Sequence, residues 1–100
     1  MIDNFRVDEL GVEAAKTAEF DGEINTEFRH FETAKALYEK HPNYLRIELS
    51  DFLQTAPEEV VLEALVRTIR HAEDRRNGKP SETYMKWCDE NRYRWEAKKE

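Results

Sequence analysis

The sequence predicts a small α+β domain, mostly helical with a short sheet, and three observations carry that expectation. The first is the alternation Tyr44-Leu45-Arg46-Ile47-Glu48-Leu49-Ser50, with Leu45, Ile47 and Leu49 on one side and polar residues on the other. The second is a helical stripe of Val61, Leu62, Leu65, Val66, Ile69 and Ala72. The third is size: 100 residues, 38% charged and 39% hydrophobic, leave room for one core, so residues 1–100 form a single domain.

Taken in order, Phe5 and Val7 alternate around Arg6 and suit a short strand over residues 2–7. Residues 12–20, rich in Ala, Glu and Lys, favour helix, and Asp21-Gly22 reads as a turn. A second helix is expected from Asn25-Thr26, because Phe28, Phe31, Ala34, Leu37, Tyr38 and His41 recur at helical spacing. His41-Pro42-Asn43 ends it, since proline disfavours helix at the residue before it. The strand at 44–50 then needs a hydrogen-bonding neighbour; residues 2–7, or another copy of the chain, are the candidates.

Thr55-Ala56-Pro57-Glu58 supplies start punctuation for a helix over residues 57–76: a threonine cap, an early proline and a glutamate three residues after the cap. Asn77-Gly78 stops it. Ser81 caps a last helix over residues 81–96, with Tyr84, Trp87, Cys88, Asn91 and Trp95 on one face.

The net charge of −6 is unevenly spread, −9 over residues 1–66 and +3 over residues 67–100. A basic C-terminal part fits an acidic partner or self-association between unlike faces, and equally the uneven decoration of a solvated surface. No apolar run reaches the ~18 residues that a membrane span needs. Nor does Met1-Ile2-Asp3-Asn4-Phe5-Arg6 have the basic-then-apolar form of a secretory signal. A single cysteine, Cys88, excludes an internal disulfide framework and fits a reducing cytoplasm.

Functionally, the informative stretch is Arg67-Thr68-Ile69-Arg70-His71. A zinc hydrolase carries H-E-x-x-H on such a helix, two histidines one turn apart with a glutamate base between them. Here His71 keeps the second position, Arg67 stands at the first and Thr68 at the base. With the alternating strand, the Ala56-Pro57-Glu58-Glu59-Val60 connection and the long helix, residues 28–88 resemble the small SprT-like and minigluzincin-like zincins. The resemblance implies a compact α+β fold with residues 44–50 beside the active-site helix and residues 81–96 packed beneath it. It also implies a third zinc ligand after Gly78, where Glu82 is the best the chain offers. Arg67 has no lone pair for a metal and Thr68 is no base near neutral pH. One histidine and one carboxylate fall short of the three protein ligands of a catalytic zinc. No catalytic residue, metal site or cofactor is therefore expected, and His71 is the only remnant matching the motif.

Other candidates are weighed against plainer roles. Arg67, Arg70, Arg75, Arg76 and Lys79 could contact an anion, nucleic acid or an acidic partner. Their plain role is a solvated helix face, with Arg67 and Arg70 pairing with Glu63, Glu73 or Asp74 and the later ones complementing the helix dipole. Tyr84, Trp87, Tyr93 and Trp95 interleave with Lys86, Arg92 and Arg94 as single-strand binders do, yet share a face that suits the core, and no nucleic-acid motif accompanies them. Cys88 reads as a small buried hydrophobe. His30 and His41, about three helical turns apart at ~16 Å, cannot share a metal. The expectation is a non-catalytic cytoplasmic domain with a zincin-like scaffold that has lost its metal site, binding an unknown protein partner or itself as a homodimer. A nucleic-acid or acidic-partner module using residues 67–79 is the alternative.

Overall fold

The alternation at 44–50 forms the centre of the sheet. In a computed structural model, which describes residues 1–32, 35–73 and 82–91, three strands lie in the order β1-β3-β2. They are β1 (Glu23–Arg29), β2 (Ala36–His41) and β3 (Tyr44–Ser50). β1 runs parallel to β3, from Glu23 opposite Tyr44 to Arg29 opposite Ser50. β2 runs antiparallel to β3, from Ala36 opposite Leu49 to His41 opposite Tyr44. Helices α1 (Asn4–Thr17), α2 (Glu58–Ala72) and α3 (Glu82–Glu90) complete the described elements, with a 3₁₀ turn at Asp51–Thr55. The domain is α+β, a mixed sheet with its helices outside it in sequence.

Leu45, Ile47 and Leu49 are fully buried, as their alternation requires. They meet Val7, Leu10 and Ala14 of α1 and Val61, Leu65 and Ile69 of α2 in one hydrophobic core. The opposite sheet face carries a ladder of charges. Arg46 bonds Glu27 at 2.6 Å, and Glu48 lies 3.8 Å from Arg46 and 3.0 Å from Arg29. No described helix is long and apolar enough to cross a membrane.

Two expected elements are replaced. Residues 2–7 are not a strand: Asp3 caps α1, its side chain accepting from the Arg6 N–H at 2.8 Å. The Phe5/Val7 alternation carries no strand signal, because Phe5 is 77% exposed and Val7 fully buried on one helix turn. Val7, Leu10, Ala14 and Ala18 set the true period. At its end, Glu19 takes a left-handed φ of 57° and the Phe20 N–H bonds Ala15 O, which is a Schellman closure.

The helix expected from Asn25 to His41 is instead β1 and β2. Its supposed apolar face is divided: Phe28 is buried through a strand period with Thr26, while Leu37 and Tyr38 are 47% and 42% exposed. A central strand with two bare edges must pair its backbone, and that demand overrides local helix propensity. Pro42 and Asn43 make the two-residue turn between β2 and β3. Proline holds φ negative at the first turn position and Asn43 takes φ 59° at the second, as in a type II turn. The Glu23 N–H bonds Asn43 O at 2.9 Å, and a Cβ on Gly22 would lie 2.7 Å from that oxygen, so β1 enters past the turn only with glycine there.

α2 starts at Glu58, with no side-chain cap on Pro57. The expected capping box does not form. Thr55 ends the 3₁₀ turn, its hydroxyl donating to Phe52 O, and Glu58 turns to α1, where Arg6 Nη2 meets it at 2.7 Å. This hydrogen bond to Arg6 lowers the Glu58 carboxyl below its ordinary value. Residues 74–76 and the Asn77-Gly78 stop lie outside the described residues, as do the Ser81 cap and residues 92–96 of the expected last helix. Within α3, Tyr84, Trp87 and Cys88 are half-buried on one face, and Tyr84 and Trp87 pack against the core as expected.

Candidate functional site

The two edges of the sheet are finished differently. On α1, Asn4, Asp8 and Gly11 form a stripe at i, i+4 and i+7 that runs along β1. The Asn4 side-chain oxygen accepts from the Phe28 N–H at 2.8 Å and an Asp8 oxygen from the Thr26 N–H at 3.0 Å. These are backbone donors that a further strand would otherwise take. Gly11 lets the helix approach closely: a Cβ there would lie 2.3 Å from Thr26 Oγ1. That hydroxyl, on a residue 2% exposed, has no hydrogen-bond partner.

At the opposite edge, β2 pairs only with β3 among the described residues. The Ser50 N–H bonds Lys35 O at 2.9 Å, which fixes the parity of the hairpin. Residues 35, 37, 39 and 41 direct their backbone groups to β3, and Ala36, Tyr38 and Lys40 direct theirs outward.

Beside this open edge lies a groove of about 240 Å³ lined by Ala36, Tyr38, Ala64, Arg67, Thr68, His71 and Tyr84. β2 supplies one wall, α2 the floor and Tyr84 of α3 the other wall. The helical spacing expected of residues 67, 68 and 71 is thus realised on one face, turned toward a cleft. β2, rather than residues 44–50, is the strand that lines it. Ala36 and Ala64 are small and open the space; the tyrosines frame it.

The chemistry of the lining is cationic and hydrogen-bonding. Arg67 is exposed within the groove. Thr68 donates its hydroxyl to Ala64 O at 2.8 Å, so its proton stays within its own helix turn. His71 sets its ring edge-on to Tyr38, centroids 5.9 Å apart at 76°. Burial pushes the Tyr84 hydroxyl well above its ordinary value, helped by its hydrogen bond with Cys88 and opposed by nearby Arg67. Tyr84 is therefore a neutral hydroxyl at physiological pH. Cys88 is half-buried beneath it.

The pairs expected of Arg67 and Arg70 are not seen among the described residues. Glu73 turns to Lys40 on β2 at 3.6 Å, and among the described residues no carboxylate lies within 4.0 Å of Arg67 or Arg70. Arg70 does not line the groove. Arg75, Arg76, Lys79 and Asp74 lie outside the described residues, as does the side chain of Glu82. His30 and His41 are separated by the correction to strands: His30 meets Asp51 at 3.2 Å and His41 meets Glu39 at 3.0 Å. Among the described residues no three His, Cys, Asp or Glu side chains group as a metal site. Tyr38 and Ala36 escaped sequence reasoning as site residues because the edge strand carrying them reads as helix.

A larger opening of about 720 Å³, lined by Glu19, Asp21, Lys40, His41 and Glu73 among others, sits where α1 ends beside the β2–β3 turn. Its charges are mixed in sign. Compared with known proteins, the chain matches no family model, no curated protein and no solved structure.

Proposed function

We propose that this is a non-catalytic binding domain, built on a zincin-like scaffold that has lost its metal site, whose groove takes an acidic side chain from a protein partner. The observation that carries the reading is Arg67 in the groove with no carboxylate of the described residues within 4.0 Å, next to a threonine whose hydroxyl is committed to Ala64 O. A guanidinium at the place of a metal ligand repels a cation and attracts a carboxylate, with two-point geometry. Tyr84 and His71 add two polar rings to the same lining. A groove of about 240 Å³ lies below the ~300–1,000 Å³ of small-molecule sites and suits one side chain. The acidic partner is favoured over nucleic acid because Arg67 alone of the described lysines and arginines lines this narrow cleft, which suits a single carboxylate better than a run of phosphates. The single cysteine continues to favour a cytoplasmic setting.

Two measurements test the proposal. Elemental analysis of the purified protein is expected to find no stoichiometric zinc, and a chelator is expected to leave the melting temperature unchanged. A fluorescein-labelled hexaglutamate peptide is expected to bind with strong salt dependence and to be lost in Arg67→Glu. One zinc per chain, or binding indifferent to Arg67→Glu, overturns the reading. Tighter binding of a single-stranded oligonucleotide than of the peptide would transfer the groove to nucleic acid.

A further inference from the structure

We propose that the open edge of β2 pairs antiparallel with β2 of a second copy of this chain, with Leu37 on the two-fold axis. The inference goes beyond the acidic-partner reading and does not depend on it. It begins with the backbone. Ala36, Tyr38 and Lys40 present their N–H and C=O groups outward, as an unpaired edge does. The other edge cannot serve, since Asn4 and Asp8 already hold the outward N–H groups of Phe28 and Thr26. One open edge among the described residues makes a closed pair rather than a growing ladder.

Side chains then choose the register. Antiparallel pairing sets residues of the same face opposite one another, so a two-fold axis falls on a β2 residue. Centred on Glu39, the pairing sets Glu39 against its own copy. Centred on Lys40, it does the same with lysine. Centred on Tyr38, it sets Leu37 against Glu39 and brings a second Lys40 to Ala36, beside Arg67 in the groove lining. Only the Leu37 axis sets unlike charges opposite, Lys35 against Glu39 twice over. It also sets Leu37 against Leu37 and Tyr38 against the small Ala36. This register covers Leu37 and Tyr38, which are 47% and 42% exposed on the single chain. Because Ala36 lines the groove, Tyr38 of the second copy would join its rim.

Sedimentation equilibrium of the full chain tests this, with a mass twice the 11.9 kDa of one copy expected as concentration rises. Ala36→Pro removes an outward N–H and leaves the β2–β3 bonds intact, so it is expected to yield a monomer with an unchanged circular dichroism spectrum. Lys35→Glu and Glu39→Lys are each expected to raise the dimer dissociation constant about tenfold, by setting like charges opposite. The double exchange restores opposite charges and is expected to return it to within about twofold. A monomer at millimolar concentration, a dimer that persists in Ala36→Pro, an assembly beyond two copies, or a double exchange that fails to restore would each overturn the proposal.

Discussion

The sheet has two edges made from one chain, and they are treated in opposite ways. β1 lies under α1, whose Asn4 and Asp8 side chains take its outward N–H groups while Gly11 draws the helix close. β2 has no second neighbour strand among the described residues, carries the exposed Leu37 and Tyr38, and borders the groove that holds Arg67 and His71. A side chain that caps a strand edge is a local barrier to pairing, and it does so without adding a strand. The contrast separates the part of the molecule that is closed for stability from the part left available for contact. The groove lies on this second side, between β2, α2 and Tyr84 of α3.

The comparison can be broken most strongly at Gly11. Gly11→Ala drives a Cβ into Thr26 Oγ1, and overpacking of this kind is expected to cost about 3 kcal/mol in urea unfolding. Adding Thr26→Ala removes the colliding atom and is expected to recover most of the loss; a double variant no better than the single one would mean that the close approach is not what seats the helix. Next in size, Asn4→Ala and Asp8→Ala each leave a strand N–H without its partner and are expected to cost about 1–2 kcal/mol. Together they open a second edge, so the double variant should also associate beyond its parent in light scattering. Equal association would show that the caps serve stability alone.

The smallest effect is on the open side, at Tyr84. Its folded-state value lies above the ordinary 10, so the native protein keeps a proton that the unfolded chain releases. That contribution is present below pH 10 and is lost as pH rises through the alkaline range. Tyr84→Phe is therefore expected to lose less of its melting temperature between pH 9 and pH 11 than the parent does. Identical alkaline limbs would remove the buried hydroxyl from the account of the groove.

Legibility followed the same division. Strand 44–50 and the buried stripe of α2 were readable because one face of each meets the core and the other meets water, which imprints a period. β2 has no such imprint: only Ala36 of its six residues is partly buried, so its chance helical spacing was the stronger pattern. α1 was half legible. Residues 12–17 read as helix by propensity, while the Phe5/Val7 alternation hides the Asp3 cap. In the groove, Arg67, Thr68 and His71 were found because a motif spacing marks one helix face. Tyr38 was not, because nothing local announces which strand a cleft will borrow. The edge caps were equally hidden: Asn4 and Asp8 look like ordinary surface residues until β1 is known to lie beside them.

The ladder of Arg29, Glu48, Arg46 and Glu27 on the sheet face turned away from the core bears on what the molecule can become. Signs alternate along it, so the field beyond a few ångströms is weak and neither a cationic nor an anionic partner is drawn there. An apolar layer laid over it would have to strip water from four charged groups at a cost of several kcal/mol per ion, for which it returns no new bonds. Stacking of a second sheet or helix on that side is thus closed off by hydration. Growth of this fold is confined to the plane of the sheet, and within that plane to one direction.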